Sequence, residues 1–190
     1  MYIDHSRLVC GILLLGMAVV SQGCQTSAAP ALPATTGTHL SQGADLQGDD
    51  KQIQAILAMF EKAEEAVRRK DLDALMALYA EDYKHGGYNK DAVRAVWSDL
   101  FARHRDFAGA HIFSKIKVEA GKPTPLAHVT CTGGLWAISS ETGQRVNIDS
   151  WYGEVHHVTF DHGAWHLAGT FWEIPRGKES RPAFLPHPFF

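Results

Sequence analysis

Val158-Thr159-Phe160-Asp161-His162-Gly163-Ala164-Trp165-His166-Leu167 alternates apolar and polar residues on both sides of Asp161-His162-Gly163. Period-two alternation broken by a short Gly-containing turn predicts an antiparallel hairpin. Reading outward, Gln144–Phe160 is a long strand and Ala164–Glu173 its partner. Leu126–Ile138 and His111–Glu119 read as two earlier strands joined by the turn Gly121–Pro125. Gly133-Gly134 and Gly153 interrupt long strands, which predicts bulges or sharp bends there.

Before Arg105 the period is helical. Ile53, Ile56, Leu57, Phe60, Ala63 and Val67 recur on one side of a helix that opens at Asp49-Asp50, with Glu61, Lys62, Arg68 and Arg69 opposite. Asp71 caps a shorter helix whose apolar face is Leu72, Leu75, Leu78 and Tyr79. Asn89 caps a third, carrying the stripe Ala92, Val93, Val96, Trp97, Leu100 and Phe101. Helices followed by an antiparallel meander give an α+β class, with three N-terminal helices packed on one face of the sheet.

Three stretches carry a family resemblance. They are the opening helix running into Arg69-Lys70-Asp71-Leu72-Asp73-Ala74-Leu75 and Tyr79-Ala80-Glu81-Asp82, the capped helix Lys90-Asp91-Ala92-Val93-Arg94, and the 158–167 hairpin. Over roughly residues 50 to 173 the chain resembles the nuclear-transport-factor-2-like superfamily, which includes ketosteroid isomerases, polyketide cyclases and scytalone dehydratase. The resemblance implies a curved antiparallel sheet forming a cone around the helices, with a pocket inside. It does not imply one activity, because the fold hosts many. The isomerase pattern itself is not met: the first helix offers Phe60 and no Tyr.

Upstream of the folded region, Arg7, the apolar run Leu8 to Val20 and Gly23 before Cys24 read as a secretory signal. The run is too short to cross ~30 Å of hydrocarbon as a permanent helix. Gly23-Cys24 resembles a bacterial lipoprotein signal, which implies residues 1–23 as signal, lipidation of Cys24 and attachment to the envelope. Ser21 and Gln22 depart from the usual residues of that signal, and ordinary cleavage near Ala29 or Ala31 is the alternative. Gln25 to Gln47 is mostly Ala, Ser, Thr, Gly, Pro and Gln without a Phe, Tyr or Trp, so residues 24–48 are expected to be a flexible tether. Such a chain spans on the order of 25–30 Å. Gln25 rather than Asp after the Cys implies the outer membrane, facing the periplasm. The expected domain is 49–174, and residues 175–190 form a tail with four Pro that ends in Phe189-Phe190.

The net charge of −3 gives no basic footprint for nucleic acid. Cys131 stands alone once Cys10 and Cys24 are assigned upstream, so no disulfide framework exists. The eleven His include no helical pair at i, i+4, and His156 and His157 alternate across a strand, so no metal site or cofactor is expected.

Strand alternation nominates the pocket wall. Trp165, Leu167, Gly169, Phe171 and Glu173 share one face, and Ile148, Tyr152, Glu154, His156, Val158 and Phe160 share another. A bulge at Gly153 would reverse the residues before it and bring Asp149 and Trp151 inward instead. Candidate acid–base residues are His85, Glu154 and His156, since burial moves a carboxyl and an imidazole in opposite directions. Tyr83, Tyr152, Phe171 and Glu173 are candidate ligand contacts. The plainer reading makes Glu154 and His156 a satisfied polar pair. Trp136, Trp151 and Trp172 fall on the opposite face, where an exposed patch would suit a homodimer or partner.

The leading expectation is a membrane-anchored envelope lipoprotein that binds a small apolar ligand or a protein partner. A cofactor-independent isomerase, dehydratase or cyclase and an accessory subunit of an envelope complex are the alternatives.

Overall fold

The computed structural model describes residues 36–121 and 123–169. Helix α1, Asp50–Arg69, starts at an Asp49 capping box in which Asp49 accepts from Lys51 N and Gln52 reaches back to Asp49 N. It buries Ile53, Ile56, Met59, Phe60, Ala63, Ala66 and Val67, the predicted stripe apart from half-buried Leu57. Helix α2 is only Leu72–Met76, capped by Asp71, and the chain then turns. Helix α3, Lys90–Arg103, is capped by Asn89 and buries Val93, Trp97, Leu100 and Phe101. Lys90 Nζ ties its start to the preceding segment by donating to Tyr79 O at 2.8 Å and Glu81 Oε1 at 2.7 Å.

Five strands form the main sheet: β1 Gly37–Gln47, β4 His104–Glu119, β5 Leu126–Ser139, β6 Arg145–Asp161 and β7 Ala164–Leu167. They lie side by side in the order β1-β4-β5-β6-β7, and a small hairpin of β2, Lys84–His85, with β3, Tyr88–Asn89, stands apart. Every pairing in the main sheet is antiparallel except β1 on β4. The helices pack on one face, giving the expected α+β architecture with a bent sheet.

Two expectations change. Residues 37–47, read as tether, form an edge strand parallel to β4 from Gly37 opposite Ala110 to Gln47 opposite Lys117. The segment buries little apolar surface, so the backbone ladder along β4 holds it. Strand β4 also starts at His104 instead of His111, directly from the end of α3. The signal, Cys24, the rest of the tether and the 175–190 tail lie outside the described residues, as do the last predicted strand residues beyond Gly169. Among the described residues no helix is long and apolar enough to cross a membrane.

Glycine bends the sheet at a definite place. Cys131 pairs with Glu154 and Gly133 with Trp151, so Thr132 alone faces both Tyr152 and Gly153. Gly153 has φ +65° and donates from its N–H to Thr132 Oγ1 at 3.1 Å. This is a bulge built on a left-handed glycine, and it shifts the alternation of β6. Trp151 therefore turns inward, 6 % exposed, and Tyr152 outward, 88 % exposed. Gly133 serves close approach: a Cβ there would stand 2.0 Å from Ala110 O and 2.5 Å from the Trp151 ring.

Candidate functional site

Only two polar side chains are fully buried among the described residues, His111 and His156, and both lie under α1. The helix supplies Phe60 and, one turn later, Glu64. The ring of Phe60 lies 5.7 Å from His111, 5.4 Å from His156 and 4.7 Å from Phe113. The two imidazoles are 6.2 Å apart, with Trp151 4.9 Å from His111. An aromatic cage thus encloses two separate polar pairs.

The first pair is His111 with Glu64. Nδ1 of His111 donates to Glu64 Oε1 at 2.8 Å, and Thr38 Oγ1 of the edge strand donates to the same oxygen at 3.2 Å. That tautomer follows from the acceptor-only carboxylate. Oε2 points toward Gly37, where a Cβ would meet it at 3.6 Å. The His111 side chain is sealed, whereas Glu64 keeps 13 % of its side chain exposed. That opening leads into a cleft of about 330 Å³ lined by Gly37, Glu64, Val67, Phe107 and Leu135, with Arg68 also on its wall. Oε1 is held by His111 and Thr38, and the carboxylate lines the cleft beside Gly37.

The second pair is Cys131 with His156. Trp151 Nε1 donates to Sγ at 2.8 Å, and the sulfur in turn lies within hydrogen-bond distance of His156 Nε2, at 3.0 Å. Burial pushes the Cys131 thiol up to about 12, opposed by the Trp151 bond. A thiol so placed stays protonated and serves as a buried polar link, since nucleophilic cysteines need an accessible thiolate. None of these three side chains lines the cleft.

The predicted residues disperse. His156 lies in the buried cluster. Glu154 is exposed beside the bulge and Tyr152 points to solvent, so neither joins it. Tyr83 is buried, edge-on to Tyr79 at 5.0 Å, and burial holds its hydroxyl well above the ordinary range. It therefore acts as core. His85 is half-buried on β2, and burial, then His157, lowers it. Asp149 is half-buried with its carboxyl raised by burial. Phe171 and Glu173 lie outside the described residues. The expected tryptophan patch does not form on the other face: Trp151 is core, Trp136 is half-buried, and Trp172 lies outside the described residues.

Glu64 and His111 escaped the sequence reading because they are 47 residues apart and on different kinds of element. A faint signal existed: Glu64 stands four residues after Phe60, at the border of the apolar stripe. Two other surface clefts, of about 430 and 370 Å³, reach neither buried His. Among the described residues no three His, Cys, Asp or Glu side chains converge to hold a metal ion.

No protein-family profile matches this sequence, and no curated protein matches it. Solved structures share the architecture. A conserved protein from Planctomyces limnophilus superposes with a TM-score of 0.55 at 16 % identity, over 64 % of this chain and 94 % of that one. An aromatic ring hydroxylase candidate from Novosphingobium aromaticivorans gives 0.52 at 16 %, over 65 % and 88 % of the two chains. A scytalone dehydratase candidate from the same organism gives 0.51 at 16 %, over 63 % and 80 %. At such identities the likeness is one of fold: the expected curved, largely antiparallel sheet packed on three helices is the observed architecture.

Proposed function

We propose that this chain is an envelope lipoprotein whose domain binds a small amphipathic ligand in the cleft at Glu64. The observation that carries the binding role is Glu64 itself: Oε1 is anchored by His111 and Thr38, and the side chain lines a cleft of about 330 Å³ with Oε2 on the side of Gly37. A pocket of that size, apolar but for a few placed polar groups, suits a small molecule. A carboxylate with one oxygen available favours a ligand bearing an ammonium or a hydrogen-bond donor at one end. The anchoring part rests on Leu8 to Val20 and Gly23-Cys24. Acyl chains at ~0.8 kcal/mol per buried methylene make such an anchor persistent.

Titration of isotopically labelled protein with benzylamine and with benzyl alcohol tests the cleft. Benzylamine should shift the amides of Phe107, Ala108 and Gly109, and Glu64→Gln should abolish the response while leaving the fold intact. Shifts confined to the cleft between α1 and the β6–β7 hairpin would place binding elsewhere. Anchoring is tested by palmitate labelling and membrane fractionation. Wild type should label and sediment with membranes, and Cys24→Ser should do neither.

A second reading, acid–base catalysis without a cofactor, is favoured by the 2.8 Å contact between His111 and Glu64. In it Glu64 Oε2 takes a proton from the bound molecule, and His111 fixes the carboxylate's orientation through Oε1. Deuterium exchange into the α-carbon of cyclohexanone measures this directly. Acceleration that disappears in Glu64→Gln supports it; no acceleration by wild type rejects catalysis of that kind and leaves binding standing.

A further inference from the structure

Four histidines collect on the outer face of one corner of the fold. In the antiparallel ladder His128 of β5 lies directly opposite His157 of β6, and His166 of β7 lies opposite Thr159, two residues along from His157. His85, on the small hairpin, is electrostatically coupled to His157. The inward neighbours Val129 and His156 are buried on the other side of the sheet, so His128 and His157 project outward together. Cross-strand partners share a face, and their side chains meet more closely than any sequential pair on a strand.

We propose that His128 and His157 form a two-imidazole site for a borderline divalent cation of the zinc or copper kind. Their ring centres are 4.7 Å apart at 55°. Imidazoles that share a tetrahedral ion at about 2.0–2.1 Å per nitrogen have ring centres on the order of 5 Å apart. The observed spacing already meets that requirement. Nδ1 of His157 is turned away from solvent. Imidazole nitrogen suits zinc, copper and nickel, whereas calcium and magnesium prefer oxygen.

The surroundings are compatible with this charge. Lys117 pairs directly with His128 across β4 and β5, but its ammonium is 2.7 Å from Glu119 Oε1. Glu119 is held below the ordinary carboxylate range by Lys117 first and by His128 to a lesser extent. His128 and His157 face each other from neighbouring strands, so both rings reach the same point above the sheet. Two protein donors are fewer than structural sites use, so water completes the shell and the ion exchanges readily. The site is independent of the Glu64 cleft, which lies on the other face.

Calorimetric titration of the full chain with zinc chloride in a non-coordinating buffer tests it, with cobalt absorption as a second readout. One saturable equivalent is expected at pH 7.5. His128→Gln and His157→Gln should each weaken it at least tenfold, and His162→Gln, on the exposed hairpin turn, should leave it unchanged. Wild-type ring-proton resonances of His128 and His157 should shift together during the titration, a measurement that does not depend on any variant folding. Absence of a saturable equivalent, or an equivalent that survives both substitutions, overturns the site.

Discussion

Gly153→Ala isolates the cost of one backbone conformation. Gly153 sits at φ +65°, and a Cβ built there meets nothing within 4 Å, so packing contributes no penalty. An L-residue in the left-handed region costs about 1–2 kcal/mol. Against that, replacing Gly narrows the unfolded ensemble and returns about 0.4–1 kcal/mol. The net loss is therefore about 1 kcal/mol for Ala, larger for Val because of its branched Cβ, and smaller for Asn, which tolerates this region. For a domain of this size that loss corresponds to a fall of roughly 3–6 °C in Tm. The assay is thermal unfolding of the series Gly, Asn, Ala, Val at position 153, followed by circular dichroism. The expected order is Gly, then Asn, then Ala, then Val. If Ala melts within a degree of Gly and Asn gains nothing over Ala, residue 153 is not left-handed. The bulge that turns Trp151 inward and Tyr152 outward then loses its cause.

Trp165 is 4 % exposed and edge-on to Phe160 at 5.4 Å, so Trp165→Ala should cost about 3–5 kcal/mol, read from the denaturant midpoint at constant slope. Cys131, raised to about 12 by burial, should resist a thiol-reactive disulfide reagent at pH 8 in the folded protein and react fully in denaturant; rapid labelling of native protein would contradict its burial. Because the folded value lies above the ordinary thiol value of 9.0, this thiol should lower stability only as pH rises from 9 toward 12. His85 and His157 are both lowered from 6.5, chiefly by burial, so the unfolded chain takes up their protons first as pH falls. Their stabilising effect should be present above pH 6.5 and be lost below it; in chelator, His157→Gln should flatten the slope of the urea midpoint between pH 7 and 5, and an unchanged slope would contradict the assignment.

Local chemistry made much of the fold legible. Asp49, Asp71 and Asn89 each stand where a helix begins, with a side-chain oxygen accepting from a first-turn N–H. The hairpin at Asp161-His162-Gly163 pairs Phe160 with Trp165 as the alternation required. What escaped depends on distant partners. Residues 37–47 have no alternation to announce a strand, and Gly37 to Leu40 and Asp45 to Gln47 join one because β4 offers an edge, with a break in register between them. Alternation alone leaves two facings open before Gly153, and the bulge there decides for Trp151 inward and Tyr152 outward, the alternative the glycine signals. The pairing of Glu64 with His111 comes from α1 crossing β4, a meeting set by packing rather than by any local pattern.

Strand β1 bears on where this protein can be cut. Hydrophobic patterning draws the domain boundary at Asp49, yet β4 is a 16-residue strand whose outer edge, from Ala110 to Lys117, is covered by residues 37–47. A fragment begun at Asp49 would present that run of backbone N–H and C=O groups to other molecules, the arrangement through which sheets join edge to edge. Proteolysis upstream of residue 36 spares every described strand of the sheet. Proteolysis past Gln47 creates an adhesive edge and, by removing Thr38, strips one of the two donors from Glu64 Oε1. Loss of solubility and loss of the site's geometry would therefore arrive together, at the same cleavage.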